Sequence, residues 1–121
     1  MTTPTTLSLD EYQLRCADTA NYADAGLGTE TAINYTVLGL VGEAGEVADK
    51  WKKVLRGDHG KEGLTLEVRE QLKIEIGDDL WYIARLSREL GFDLSEVAQA
   101  NLDKLASRKA RGAIKGSGDD R

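Results

Sequence analysis

The sequence predicts an all-α domain of the four-helix-bundle type, and three observations predict it. Apolar residues recur at three- and four-residue steps over long stretches. Glycines punctuate the ends of those stretches. With one proline and 6 % aromatic residues, the chain lacks the composition of a sandwich or barrel of short strands. A length of 121 residues fits one domain, and a hydrophobic fraction of 40 % is enough to form a core.

Residues 1–7 read as a loose N-terminal arm, followed by a helical domain over residues 8–108. The first helix starts at Leu9, with Ser8 as N-cap and Glu11 three residues on in a capping-box pattern, and runs to about Tyr22. Gly26 and Gly28 break the chain, and Thr29 or Glu30 opens the second helix. Its apolar positions, Ile33, Val37, Leu40, Val41, Ala44, Val47, Ala48, Trp51, Val54 and Leu55, draw one broad stripe that Gly57 ends. That stripe is expected to pack against the next helix, with Trp51 in the core. A polar loop over residues 56–65, containing His59, leads to a third helix from Leu66 to Leu90, stopped by Gly91. Leu72, Ile76, Leu80, Ile83, Leu86 and Leu90 form its main stripe, and Ile74, Gly77, Trp81 and Ala84 a smaller one. A helix that is apolar on two sides needs two covers, and the second can be another subunit. A fourth helix begins after Asp93, with Leu94, Val97, Ala98, Leu102 and Leu105 facing inward. Residues 109–121 form a basic, glycine-rich tail.

The formal net charge of −5 disfavours broad nucleic-acid binding. No run is apolar and long enough to span a membrane, and the threonine-rich start lacks the basic and apolar regions of a signal peptide. Cys16 is the only cysteine, so an intrachain disulfide and a cysteine-rich zinc site are both excluded. A reducing cytoplasm is the expected compartment, and Cys16 itself reads as a small core residue.

Four carboxylates carry the chemistry. Glu43 and Glu46 lie three apart on the second helix, and Glu75 and Asp78 repeat the spacing on the third. Residues three apart project from one helix face on adjacent turns. If the two helices pack antiparallel, the pairs meet across the seam. Converging carboxylates repel and are costly to ionise; a hard cation such as Mg²⁺, with Mn²⁺ as a substitute, relieves that cost. Asp79 falls beside the apolar stripe and needs a partner, which a supporting role next to the metal supplies. Acidic pairs on a helix usually form a solvated face. Here two pairs sit beside core stripes. Gly42, Gly45 and Gly77, each costing its helix about 1 kcal/mol relative to alanine, point to a close approach of backbone, metal or ligand.

The segment Leu40-Val41-Gly42-Glu43-Ala44-Gly45-Glu46, followed by Ile74-Glu75-Ile76-Gly77-Asp78-Asp79-Leu80-Trp81-Tyr82, resembles the MazG-like all-α nucleoside triphosphate pyrophosphohydrolases. Their E-x-x-E…E-x-x-D signature is intact here, with 28 residues between Glu46 and Glu75. The resemblance implies Mg²⁺-dependent cleavage of a (d)NTP into (d)NMP and pyrophosphate, as nucleotide-pool house-cleaning. It assigns Glu43, Glu46, Glu75 and Asp78 as metal ligands and catalytic residues, with Glu46 the first candidate for the general base. Asn101, Lys104 and Arg108, at helical spacing, match the segment that helps hold the phosphates. Lys50, Lys53 and Tyr82 lie on the same flanks as the carboxylates and are further nucleotide-binding candidates, although Lys50 can instead pair with Glu46. With the two-sided third helix, the resemblance also implies a homodimer or homotetramer. The alternatives are a phosphoribosyl-ATP pyrophosphohydrolase with the same metal chemistry, and a helical nucleotide-binding module that cleaves nothing. A helical DNA-binding regulator is disfavoured by the acidic charge and the lack of a basic recognition helix.

Overall fold

The computed structural model describes residues 6–58, 60 and 63–112. His59 and the tail beyond Gly112 lie outside the described residues. The elements are α1 (Leu9–Cys16), a 3₁₀ turn (Ala17–Thr19), α2 (Glu30–Arg56), α3 (Leu66–Glu89) and α4 (Leu94–Ala110), and no strand occurs among the described residues.

Local chemistry sets the helix ends. The Ser8 hydroxyl accepts from the Glu11 N–H at 3.0 Å, and the Thr29 and Thr65 hydroxyls accept from Ala32 and Val68 at the starts of α2 and α3. Gly57 closes α2 in the left-handed conformation, φ +89°, which glycine adopts without strain. The first α-helix is shorter than expected, giving way after Cys16 to the 3₁₀ turn instead of continuing to Tyr22. At the other end α4 runs two residues past the expected domain limit, to Ala110.

The long helices α2 and α3 form an antiparallel hairpin, in which Gly39 meets Tyr82, Glu43 meets Asp78, and Lys50 meets Glu75. On one flank of α3 lies α1. Buried Gln13 ties α1 to both neighbours: its Nε2 donates to the carbonyls of Ala84 (3.2 Å) and Phe92 (2.9 Å), and its Oε1 accepts from the Leu94 N–H (2.9 Å). The Asp10 carboxylate accepts from the Ser95 N–H and hydroxyl at 2.8 and 2.6 Å, so the start of α4 is capped by side chains of α1.

A second polar knot holds the linker between α1 and α2. The buried Glu89 carboxylate accepts from the N–H groups of Gly26 (2.8 Å) and Gly28 (2.9 Å) and from the Tyr22 hydroxyl, with the buried Arg85 guanidinium 3.6 Å away. Burial alone would raise the Glu89 pKa, but these donors and Arg85 outweigh it and hold the carboxyl below its usual range.

The apolar stripe of α2 does not face α3. Val41 and Leu55 are 66 % and 73 % exposed, and Trp51, expected in the core, is 41 % exposed. The seam is made instead by the neighbouring face of α2, through Gly39, Glu43 and Lys50, and of the expected stripe Val54 is the residue that is buried. On α4 only Leu94 of the expected inward residues is buried; Val97, Leu102 and Leu105 are exposed. Gln13 and Asp10 anchor that helix at its first turn, and its later apolar positions find no cover within the described chain.

Candidate functional site

Turning the α2 stripe outward brings Glu43 into the seam. Oxygen atoms of Glu43, Glu75 and Asp78 all lie within 4.8 Å of one another, with the two glutamates half-buried and Asp78 exposed. Two residues three apart on a helix differ in direction by about 60°. Glu46 is therefore turned toward solvent, exposed and outside the group of three. It stays close enough to act on the cluster electrostatically. Burial, then the charges of Asp78 and Glu75, a hydrogen bond with Glu75 and the charge of Glu46 raise the Glu43 pKa above the ordinary carboxylate range.

Cations only partly balance this charge. Lys50 Nζ lies 3.6 Å from Glu75, across the seam and not along its own helix to Glu46. Lys53 pairs with Asp49 at 2.9 Å, an ordinary i,i+4 contact. Asp79 has a buried oxygen, Oδ1, with no hydrogen-bond partner in the protein. A buried carboxylate oxygen without a donor among the described residues is expensive; Asp79 is outside the group of three carboxylates and does not line the cleft beside them.

Aromatic rings wall the cluster. Tyr82 lies against Gly39, where a Cβ would fall well inside the ring's contact distance. This is the close approach that glycine permits on α2; nothing lies within 4 Å of a Cβ placed at Gly42, Gly45 or Gly77. Trp81 stands edge-on to Tyr82, with centroids 4.9 Å apart and planes at 87°, and Tyr22 stacks on Tyr35 at 4.7 Å. The hydrogen bond shared with Tyr35, burial and the negative charges of Glu43 and Asp78 push the Tyr82 hydroxyl up to about 12. Thr19, Glu43, Asp78, Trp81 and Tyr82 line an open cleft of about 350 Å³.

Of the other candidates, Asn101 and Lys104 are exposed on α4, Arg108 is buried there, and none of them lines this cleft. Thr19 is a lining residue that sequence reasoning misses. Its place depends on the 3₁₀ turn, and no periodic signal marks a turn of three residues. Arg85 and Glu89 are missed as well; their i,i+4 spacing on a strongly patterned helix is the signal that can find them.

Fold and cluster together define a class: an all-α domain whose central helix hairpin carries converging carboxylates. Residues 31–112 match the model of the MazG nucleotide pyrophosphohydrolase domain, and the chain belongs to that family. It is also similar to the Gene 37 protein of Mycobacterium phage L5, at 48 % identity over 116 residues covering 95 % of this chain and 100 % of that protein. No solved structure matches.

Proposed function

We propose that the chain is a Mg²⁺-dependent nucleoside triphosphate pyrophosphohydrolase, splitting a (d)NTP into (d)NMP and pyrophosphate. The observation that carries this reading is the convergence of Glu43, Glu75 and Asp78 from two helices, with oxygens within 4.8 Å. Three hard oxygen donors opposed by one lysine suit a small divalent cation, Mg²⁺ or in its place Mn²⁺. When bound, such an ion would offset phosphate charge and make water easier to deprotonate.

The chain's own residues supply the rest. Glu46, beside the group and not held within it, accepts the proton of the attacking water. The water oxygen bonds to the α phosphorus, the bond to the bridging oxygen breaks, and its electron pair leaves with pyrophosphate. Tyr82, whose hydroxyl stays protonated well above neutral pH, donates to a phosphate oxygen. Lys50 exchanges Glu75 for phosphate, whereas Lys53, paired with Asp49, and Asn101, Lys104 and Arg108, which lie outside the cleft, are given no contact with the nucleotide. Removal of surplus or damaged nucleotides is the role this activity implies.

The test incubates purified protein and Mg²⁺ with each common NTP and dNTP. Pyrophosphate and a monophosphate should appear, and Glu43→Gln or Asp78→Asn should remove them with the helical CD spectrum retained. Release of single phosphates, or no turnover of any nucleotide, refutes the reading.

A further inference from the structure

A second cavity adjoins the carboxylate cleft. It measures about 400 Å³ and is lined by Leu7, Tyr12, Arg15, Cys16, Asp18, Thr19 and Trp81. Thr19 and Trp81 also line the carboxylate cleft, so the two spaces share a wall. One chamber is acidic; the other, against α1, is a mixture of flat, apolar and hydrogen-bonding groups. We infer that the chamber against α1 receives the nucleobase, and that Tyr12 and Asp18 select among bases there. The inference rests on the proposal that the carboxylate cleft holds a nucleotide's triphosphate.

Three observations support it. The shared wall is rigid: Trp81 Nε1 donates to Thr19 Oγ1 at 2.9 Å, its ring packs on the core of Cys16, Ala84 and Leu94, and Tyr22 and Tyr82 meet it edge-on. A fixed indole is a surface on which a flat heterocycle can rest. Cys16 contributes a small, buried side chain to the lining. The rim offers both polarities, with Arg15 as donor, the Asp18 carboxylate as acceptor and the half-buried Tyr12 hydroxyl as either. Burial raises the Tyr12 pKa, with contributions from Cys16 and from the negative charge of Asp78. Burial, foremost, keeps the hydroxyl protonated as a hydrogen-bond donor.

A site built to hydrogen-bond a base rejects one that leaves its polar groups unpaired. Selectivity should therefore change when those groups are removed, and change unevenly across bases. The first measurement is kcat/KM for the common NTPs and dNTPs in the wild type, Tyr12→Phe and Asp18→Asn. The best-to-worst ratio across bases should fall about tenfold in at least one variant. A uniform fall that leaves the ratio intact overturns the inference. The second measurement needs no catalysis and no metal. In a Trp51→Phe chain, Trp81 is the only tryptophan, and its fluorescence is followed as free nucleosides are added to about 10 mM. Quenching that saturates, and that weakens in Tyr12→Phe or Asp18→Asn, is expected; no response to any nucleoside overturns the inference. If the wild type hydrolyses no nucleotide, the proposed function fails, and the nucleoside titration still decides the subsite.

Discussion

Gly39 and Tyr82 form the tightest residue-level fit beside the cluster, and the sign of a substitution there follows from two opposed magnitudes. Alanine at position 39 gains about 1 kcal/mol of helix propensity. It also drives a methyl group into the Tyr82 ring, and overpacking of that kind costs about 1–3 kcal/mol. Gly39→Ala should therefore be net destabilising, whereas in a Tyr82→Ala background it should stabilise, a reversal that a denaturation double-mutant cycle reads directly. Additive effects would show that the ring does not need the glycine. The carboxylates behave in the opposite sense. Without a cation, Glu43, Glu75 and Asp78 repel one another, so Glu43→Gln should raise the thermal midpoint of the metal-free chain. Millimolar Mg²⁺ should raise the wild-type midpoint and do less for the variant. Thermal melts with EDTA and with Mg²⁺ check both, and a cation-independent wild-type melt would count against the metal site.

At the scale of elements, helix ends are legible in the sequence except the early end of α1 at Cys16, and helix facing is not. Ser8, Thr29 and Gly57 mark their boundaries through bonds made within a few residues, so the sequence alone contains that chemistry. Periodicity shows that α2 has an apolar stripe, but it does not show what covers the stripe. The seam with α3 includes Gly39 and Glu43, positions that no hydropathy pattern singles out, while of the stripe's residues Val54 is the one that becomes buried. Three of the four carboxylates converge as their spacing suggests, because i and i+3 share a face, while the residual turn of about 60° sends Glu46 outward. The knot at Glu89 is a long-range feature, with donors more than sixty residues away at Gly26 and Gly28, and it makes a prediction about the α1–α2 linker. Its folded pKa lies below the ordinary glutamate value of 4.5. The ionised carboxylate thus adds stability that is fully present above that value and is lost as pH falls from it through the folded pKa. Glu89→Gln, which leaves Arg85 buried opposite a neutral amide, should cost about 3 kcal/mol at pH 7. That gap from wild type should narrow progressively in urea melts below pH 4.5, and a gap independent of pH would show that the carboxylate charge is not what holds the linker.

For the whole molecule, the question is what covers the apolar surface left over. The buried apolar side chains among the described residues are Cys16, Ala32, Val54, Val68, Ala84 and Leu94, most of them small. Burial of a valine or leucine contributes about 1.5–3 kcal/mol, against a backbone entropy cost of about 1–2 kcal/mol for every residue ordered. Meanwhile Val37, Val41, Trp51 and Leu55 along α2, with Ile76 and Ile83 on α3, stay exposed along the length of the hairpin. So many large apolar side chains left exposed point to an association surface. Two hairpins placed face to face would bury both stripes in a shared core, leaving each carboxylate cluster in its own α2–α3 seam. On this proposal the wild type sediments as a dimer, or as a tetramer of two dimers, at micromolar concentration. Val41 and Leu55 are mostly exposed in the single chain, so charging them should cost an isolated protomer little. In an assembly the same substitutions bury charges in an apolar core. Val41→Glu combined with Leu55→Glu should therefore shift sedimentation to a single protomer and lower the thermal midpoint. A wild type that remains a single protomer at tens of micromolar would leave the stripes uncovered and remove the assembly.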